Sequence, residues 1–411
     1  MNTSVRGACP SIAKPMQTGD GLLVRLIPVE PIDIEKLCIL CTAAEERGNG
    51  IIEITQRGSL QIRGLHEATV SAFAHTITAL EIGAGEGPPL VISPLLGLDS
   101  HEPFDCTALV SSIRTALQQD RLSPESVGPK VSVLIDGGGQ LHLDAVSADI
   151  RLVATSNSLL QLSLAGSAQN ALHLGYVSID RATATVKELL RRIAAHGATA
   201  RAKDLAHGQG ISEIRHSFGG SLIDGPVPKP RPRAETVGVY QLAKGDVARG
   251  FALPFGHTTA AALRRFARAA ADNGASSIRP APGRALLAIG LSHTAADRLC
   301  KAAIEEDFVV SADDSRRHVV ACAGAPACAS AELPTRQLAP EVARAIRSWS
   351  GTSKIVHLSG CSKGCAHPGP AALTVAGPNR LILNGRAGDT PQATISSAGV
   401  IADIKRLCNE L

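Results

Sequence analysis

The sequence predicts an α+β protein made of two similar halves. Three observations support this prediction: helices followed by strands recur along the 411-residue chain, two of those helices end at comparable glycines, Gly50 and Gly274, and a proline-rich segment lies between them. A chain of this length is longer than one hydrophobic core usually holds, so at least two domains are expected. Mixed helices and strands indicate the α+β class. The long repeat indicates duplication of a whole lobe rather than a solenoid.

The elements of the first half follow from its hydrophobic pattern. Apolar residues recur with helical spacing from Ile34 to Gly50, where glycine ends the helix. One helix and four strands are expected after it: strands at 51–55, 60–63, 130–135 and 140–143, and a helix at 107–119. The run Gly137–Gly139 lies between two of these strands, so it predicts a hairpin turn and not a phosphate-binding loop.

The second half repeats this order. Residues 260–274 predict a helix that again ends at Asn-Gly. Further elements are expected in chain order: strands at 277–279 and 285–289, a helix at 340–347, and a strand at 354–358. Between the halves, Gly225–Arg233 carries four prolines at alternate positions, which forbid helix and favour an extended linker.

Composition and charge exclude several classes of protein. Lys plus Arg number 41 and Asp plus Glu number 37, so the net charge of +4 is too small to predict nucleic-acid binding. Aromatic residues, 2% of the chain, are too few for base-stacking platforms. The sequence has no apolar stretch long enough to span a membrane, and residues 1–14 do not resemble a signal peptide. We therefore expect a cytoplasmic protein whose ten cysteines are thiols or metal ligands.

Four of the cysteines are grouped late in the chain. Cys322 and Cys328 form C-x5-C, and Cys361 and Cys365 form C-x3-C, both in loops rich in glycine, alanine and proline. Zinc sites prefer other spacings, whereas four thiolates in loops whose backbone can donate hydrogen bonds to sulfur suit a 4Fe–4S cluster. The other six are expected to be packing residues: Cys9, Cys38, Cys41, Cys106, Cys300 and Cys408.

These motifs resemble those of a known family. The late cysteine pairs in a duplicated chain are similar to those of the sulfite and nitrite reductases that carry a 4Fe–4S cluster beside sirohaem. Within that superfamily, residues 6–10, 15–25 and 321–330, with the more widely shared 56–64, resemble the precorrin-3B synthase branch of cobalamin biosynthesis. The resemblance covers nearly the whole chain.

The resemblance implies a pseudo-two-fold nitrite/sulfite-reductase-like fold, in which each half holds a ferredoxin-like unit and a larger α+β unit. The boundaries it implies are 15–70 and 238–295 for the ferredoxin-like half-domains, 105–220 for the first larger domain, 225–234 for the linker, and 315–411 for the cluster-binding domain.

The resemblance also implies an activity. It is a monooxygenase reaction in which O₂ hydroxylates precorrin-3A at the meso carbon between rings A and D and a γ-lactone closes. It implies a 4Fe–4S cluster on the four grouped cysteines and a mononuclear non-haem iron whose ligands no motif identifies. Electrons are expected from an external donor, NADH through a reductase, because the chain has no dinucleotide-binding fingerprint. Two alternatives stay open: a small sirohaem-dependent sulfite or nitrite reductase, and an iron–sulfur electron-transfer subunit.

A tetrapyrrole with many carboxylates needs inward-facing basic residues, and the resemblance implies three. Arg57 and Arg63 flank the loop between two predicted strands, and Lys130 matches the first lysine of a paired-lysine motif of the reductases. The second lysine falls at Ser132, and residues 93–103 lack the usual arginine, so part of the sirohaem clamp is absent and sirohaem is the less expected group.

No catalytic residue follows from the sequence. His367, two residues after Cys365, could be an iron ligand or an acid–base group, but a histidine hydrogen-bonded within its own loop is the stronger expectation.

Overall fold

A computed structural model describes residues 10–83, 87–119, 127–128, 130–155, 158–349, 354–394, 399, 401–404 and 406. The stretches 1–9 and 407–411, with Cys9 and Cys408, lie outside the described residues. Strands of the described part form four five-stranded sheets. None of the helices described there is long and apolar enough to cross a membrane.

The first half alternates strands and helices. Its strands are β1 (Met16–Thr18), β2 (Gly21–Leu26), β3 (Ile32–Asp33), β4 (Ile51–Ile54), β5 (Leu60–Leu65), β6 (Leu90–Ile92), β7 (Val133–Asp136), β8 (Ala148–Ala154), β9 (Leu159–Gly166) and β10 (Leu172–Ser178). Its helices are α1 (Ile34–Arg47), α2 (Glu67–Leu80), α3 (Thr107–Gln119), α4 (Ile179–Ala195), α5 (Ala202–Gln209) and α6 (Ile211–Ser217).

The second half repeats this order from the linker onward. Its strands are β11 (Gly238–Gln241), β12 (Val247–Ala252), β13 (His257–Thr259), β14 (Ser277–Ala281), β15 (Ala285–Leu291), β16 (Val319–Ala321), β17 (Val356–Ser359), β18 (Ala371–Ala376), β19 (Arg380–Gly385) and β20 (Ala393–Thr394). Its helices are α7 (Ala260–Asp272), α8 (His293–Glu305) and α9 (Thr335–Ala345).

The two smaller sheets exchange strands. The first has the order β1-β2-β5-β4-β13 and the second β11-β12-β15-β14-β3, so each half lends one short strand to the sheet of the other. The lent strands are equivalent, because β3 precedes α1 and β13 precedes α7. This reciprocal pairing is the pseudo-two-fold relation that the repeated helices predicted.

The two larger sheets also correspond. In each, the first three strands are parallel and the next two antiparallel, in the orders β6-β7-β8-β9-β10 and β16-β17-β18-β19-β20. A helix connects the first two strands of each sheet, α3 in one and α9 in the other. The carboxyl ends of β16 and β17 therefore lie side by side at one sheet edge.

A shared core joins the halves through α1 and α7. Helix α1 begins at Asp33, whose carboxylate accepts the N–H groups of Glu35 and Lys36 at 2.9 and 3.2 Å. Its apolar stripe and that of α7 belong to one cluster of buried side chains that includes Leu40 and Phe266, both 0% exposed. Burial of this stripe ties the first ferredoxin-like unit to the second.

The structure corrects the prediction for residues 140–143. They form no strand, and Gly137–Gly139 is no hairpin turn, because β7 and β8 are parallel and the chain must cross back between them. The carboxylate of Asp136 holds this crossover by accepting the N–H groups of Gly138 and Leu143 at 2.9 and 2.7 Å.

Other element boundaries differ from the expected ones. The predicted strand 130–135 is β7 and begins at Val133, and the first larger sheet starts at Leu90, before the expected boundary of 105. Helix α9 starts at Thr335 instead of residue 340, so Pro340 lies inside it. The buried Thr335 hydroxyl donates to the Cys322 carbonyl at 2.7 Å, which fixes this first turn against the cysteine loop.

Candidate functional site

The four grouped cysteines lie in two neighbouring loops. Cys322 and Cys328 follow β16, and Cys361 and Cys365 follow the adjacent parallel strand β17. Because neighbouring parallel strands end at the same edge, the topology brings the C-x5-C and C-x3-C motifs to one end of the larger second-half sheet.

The two cysteine loops bond directly to each other. The Gly360 N–H donates to Cys322 Sγ at 3.1 Å, and the Gly360 carbonyl accepts the Glu332 N–H at 2.8 Å. A Cβ at Gly360 would come 2.5 Å from the Cβ of Ala331, so only glycine permits this approach. An amide aimed at a cysteine sulfur stabilises a thiolate, the form in which cysteine binds iron.

This donor set fits an iron–sulfur cluster better than a single ion. Within the described residues, no group of three or more His, Cys, Asp or Glu side chains is placed to hold one metal ion. A cluster of four irons that takes one thiolate per iron needs ligands spaced more widely than a single ion does. Four cysteines and an amide donor to one of their sulfurs are typical of such a cluster, whereas the predicted mononuclear iron gains no ligand set in the described part.

The cysteine loops rest on the first half through Arg63. Its guanidinium donates to the Ala327 carbonyl at 2.7 Å and to both carboxylate oxygens of Asp20 at 2.8 and 2.9 Å, and only 5% of the side chain is exposed. Burial would raise the pKa of Asp20, but hydrogen bonds from Arg63 and Thr18 hold it below its ordinary value. The predicted site residue Arg63 is therefore enclosed between Asp20 and the loop of Cys328.

An open cavity of about 210 Å³ lies where the units meet. Its lining includes Gln56 and Arg57 from the β4–β5 loop, Arg233 from the linker, Gly283 from the β14–β15 loop, and Pro368 from the cysteine loop. Residues 141–147 of the β7–β8 crossover complete one wall. Of the three basic residues predicted from the sequence, Arg57 lines this cavity and is exposed.

Lys130 and Arg63 lie outside the lining of this cavity. Lys130 is a half-buried turn residue before β7. Ser132, at the position of the missing second lysine, is completely buried, and its N–H bonds to Asp149 at 3.0 Å. The structure thus brings Arg57 to the cavity and does not bring the other two beside it.

The tips of two equivalent loops meet at the cavity. The N–H of Gly283 bonds to the carbonyl of Gln56 at 3.1 Å. Arg284 then donates to Gln56 Oε1 and to the Ala366 carbonyl, both at 2.7 Å. Burial, followed by repulsion from Arg233, lowers the pKa of Arg284 to about 10. Arg284 therefore links the Arg57 loop to the residue after Cys365.

Two histidines lie beneath this contact. His367 Nε2 bonds to the Pro370 carbonyl at 3.0 Å, which is the loop hydrogen bond expected from the sequence. His357 is fully buried, with its ring centroid 5.6 Å from that of His367, and burial lowers its pKa to about 3. Neither ring nitrogen of His357 has a hydrogen-bond partner among the described residues, so this imidazole is neutral.

Comparison with known proteins identifies the family. No family model matches the chain. The chain is 38% identical over 413 residues to a precorrin-3B synthase from Sinorhizobium sp, an alignment that spans 98% of this chain and 88% of that protein. The chain belongs to the precorrin-3B synthase family.

More distant relatives share the architecture. A ferredoxin–nitrite reductase from Synechococcus elongatus is 22% identical over 396 residues, covering 89% of this chain and 77% of that protein. The structure of the NirA protein from Mycobacterium tuberculosis matches with a TM-score of 0.74 at 20% identity, over 95% of this chain and 80% of that one. The predicted nitrite/sulfite-reductase-like fold and the precorrin-3B synthase family are both confirmed, and the protein is an enzyme of this oxidoreductase superfamily.

Sequence reasoning missed two arginines of this precorrin-3B synthase family member: Arg233, which lines the cavity with Arg57, and Arg284, which bonds the Arg57 loop to Ala366. A signal for Arg284 existed, because it lies in the turn 280–284 between two predicted strands, as Arg57 lies in the turn between two strands of the first half. Arg233 closes the proline-rich segment, where three basic residues alternate with prolines and nothing local distinguishes Arg233 from Lys229 and Arg231.

Proposed function

We propose that the protein is a precorrin-3B synthase of cobalamin biosynthesis. In this reaction O₂ hydroxylates precorrin-3A at the meso carbon between rings A and D, and a γ-lactone closes. The observation that carries the proposal, beyond family membership, is the cavity on which Arg57 and the loop after Cys365 both lie.

The residues have separate proposed roles. Arg57 binds a carboxylate of the tetrapyrrole, since guanidinium groups match carboxylates in geometry and charge. Cys322, Cys328, Cys361 and Cys365 hold a 4Fe–4S cluster, which when bound supplies one-electron transfer.

Arg63 and Lys130 are proposed to act differently from the sequence prediction. Arg63 holds the loop of Cys328 through Ala327 and is thus a positioning residue. Lys130 stays a candidate for a carboxylate arm that reaches beyond the cavity. The mononuclear iron stays a prediction without assigned ligands, and the electron donor is proposed to be NADH acting through a reductase.

We propose that the tetrapyrrole is an exchanging substrate and not resident sirohaem. The position of the second clamp lysine is the buried Ser132, which presents no charge to a ligand. Fewer fixed charges favour release after turnover, which a substrate requires and a permanent cofactor does not.

The test is an isotope experiment. Purified protein, precorrin-3A and a reductant are incubated under ¹⁸O₂ and, in parallel, under argon. We expect one labelled oxygen in the product by mass spectrometry and no product under argon.

Three results would contradict the proposal. Product formation without oxygen would remove the monooxygenase assignment. Steady reduction of sulfite or nitrite, with a sirohaem Soret band in the purified protein, would favour the reductase alternative. Absence of any turnover with an intact cluster would favour the electron-transfer alternative.

A further inference from the structure

We propose that the proline-rich linker is part of the tetrapyrrole site, and that Arg233 at its end binds a carboxylate of the ligand opposite Arg57. This inference rests on the proposed function, since it assumes that the cavity takes a polycarboxylate tetrapyrrole. It concerns a segment that the sequence indicates only as a spacer between the halves.

The linker is fixed to the first half. The Tyr176 hydroxyl donates to the Pro226 carbonyl at 2.7 Å at its start. Near its end, Arg231 donates to both carboxylate oxygens of Asp144 at 2.8 and 3.1 Å and to the Gly138 carbonyl at 2.8 Å. Burial would raise the pKa of Asp144, but hydrogen bonds from His142 and Arg231 hold it far below its ordinary value, so this anchor keeps its charge.

Anchoring at Arg231 places Arg233 at the cavity. Arg233 lines the cavity together with Arg57, and its Nη2 would lie 3.7 Å from a Cβ built on Gly283. Prolines on either side of residue 231 restrict the backbone, so the two arginines stand at a fixed separation along an extended chain.

Arg233 is not held in a direct ion pair by the described part of the protein. The carboxylate nearest in sequence, Glu235, is engaged by Arg317 at 2.6 and 2.7 Å. Among the described residues, no acidic side chain lies within ion-pair distance of Arg233, whereas the neighbouring Arg231 pairs with Asp144 and Asp136. Arg233 therefore presents its guanidinium group to the cavity that Arg57 also lines, where an anionic ligand balances its charge.

The spatial arrangement suits a ligand with several carboxylates on a rigid frame. Arg57 belongs to the first ferredoxin-like unit and Arg233 to the linker, so one ligand reaching both would bridge separate parts of the chain. A guanidinium group can donate two hydrogen bonds to one carboxylate. Two such groups at fixed positions therefore select ligands by the spacing of their carboxylates as well as by their number.

The experiment uses the whole cluster-containing protein and uroporphyrin III, a stable fluorescent tetrapyrrole with acetate and propionate arms. Fluorescence titration gives its Kd for the wild-type protein and for Arg233→Ala, Arg233→Gln and Arg57→Ala. We expect each variant to bind roughly 10-fold to 100-fold more weakly, the usual effect of losing a charge-assisted hydrogen bond. Arg233→Lys should restore part of the affinity because it keeps the charge but not the two-pronged geometry.

Lys229→Ala is the matched control. Lys229 lies in the same linker and carries the same charge, but it lines a separate cavity with Arg231 and His173. Its replacement should leave the Kd within about twofold of wild type. Cluster absorbance and the unfolding midpoint verify that each variant is folded, and Arg233→Gln keeps the test usable if Arg233→Ala is not.

The outcomes separate the two proposals. If Arg57→Ala weakens binding and both Arg233→Ala and Arg233→Gln bind as wild type does, the linker is not part of the site and the proposed function stands. An equal loss in Lys229→Ala and Arg233→Ala would mean non-specific attraction and would overturn the assignment of Arg233. If the wild-type protein does not bind uroporphyrin III at all, the tetrapyrrole site and this inference both fail.

Discussion

At the scale of single residues, Cys322 shows how hydrogen bonds join the two cysteine loops. Its sulfur accepts the Gly360 N–H and lies 3.8 Å from the Thr335 hydroxyl, while the Thr335 hydroxyl holds the Cys322 carbonyl. These contacts join both cysteine loops and the start of α9. We therefore expect the local structure to depend on what Cys322 Sγ is bonded to.

Replacing one cluster cysteine should therefore remove the cluster. In Cys361→Ser we expect loss of nearly all cluster absorbance, iron and sulfide, with a lower yield of folded protein, because cluster binding and loop folding are coupled. Iron and sulfide analysis with visible absorbance measures this.

Cys300→Ser is the control for that experiment. Cys300 lies on α8, where its thiol donates to the Ala296 carbonyl at 3.4 Å and burial raises its pKa. This variant should keep its full cluster content. Full iron and sulfide in Cys361→Ser would contradict the assignment of the quartet.

Single residues also show where the sequence was sufficient. The spacing of the four cysteines predicted two cysteine-bearing loops, because thiolate ligands of one group must lie close together. The topology of the sheet brings these two loops together. Arg57 and Arg63 looked equivalent, since both flank one loop. They differ because Arg57 lies in the exposed loop, whereas the Arg63 side chain turns inward to Asp20, a partner 43 residues away that no local pattern identifies.

At the scale of elements, the two halves differ in one pair of equivalent loops. The cysteine loops of the second half correspond to loops of the first half that carry acidic side chains. The loops after β6 and β7 correspond to those that carry the cysteines after β16 and β17. Between them, Glu102 accepts the Gly97 N–H at 2.7 Å, and Asp99 accepts the Gln140 N–H at 2.6 Å. The Asp99 carboxylate thus joins the two loops, and the Glu102 carboxylate bonds within the loop after β6.

This substitution predicts a pH dependence of stability. Burial, with repulsion from Asp99, Asp105 and Asp136, raises the pKa of Glu102 to about 8. A carboxyl whose folded pKa is raised contributes stability that is complete below its unfolded pKa and is lost as the pH rises through its folded pKa. Wild-type protein should lose on the order of 2 kcal/mol relative to Glu102→Gln between about pH 4.5 and pH 8.

Urea unfolding of both proteins across this pH range measures the difference. Glu102→Gln keeps an acceptor for Gly97 and cannot ionise, so its curve should be flatter. Parallel curves for the two proteins would show that Glu102 is charged in the folded state at neutral pH and would refute the assignment.

Element boundaries could be predicted where hydrophobic periodicity determines them. They could not be predicted where the pairing of distant strands determines them. Helices α1 and α7 begin and end within about three residues of their predicted bounds, because a buried stripe and a terminal cap define them. Residues 140–143 alternate like a strand but belong to a crossover, since the parallel pairing of β7 with β8 is a long-range property. The strand exchange of β3 and β13 had no local signal either, because each strand has only two or three residues.

At the scale of the whole molecule, the two halves share one folding unit. Strand β13 completes the sheet of the first half, β3 completes that of the second, and α1 packs on α7 in a common core. Polar contacts reinforce this: Arg264 of α7 donates to Thr42 at 3.1 Å and pairs with Glu45, and Arg336 of α9 pairs with Glu53.

These contacts predict that neither half folds alone. Expressed separately, residues 1–225 and 226–411 would each expose an unpaired strand edge and half of the shared core, so each should lack a cooperative unfolding transition. Expressed together they should co-purify and recover the cluster, because the exchanged strands and α1–α7 packing need no covalent link.

A protease site inserted after Gly225 in the intact chain serves as control, since cleavage after folding should leave the complex assembled. Size-exclusion chromatography and thermal unfolding distinguish the cases. A monomeric 226–411 fragment with a sharp transition and full iron content would mean that the halves are independent domains, and that the strand exchange adds contact but not interdependence.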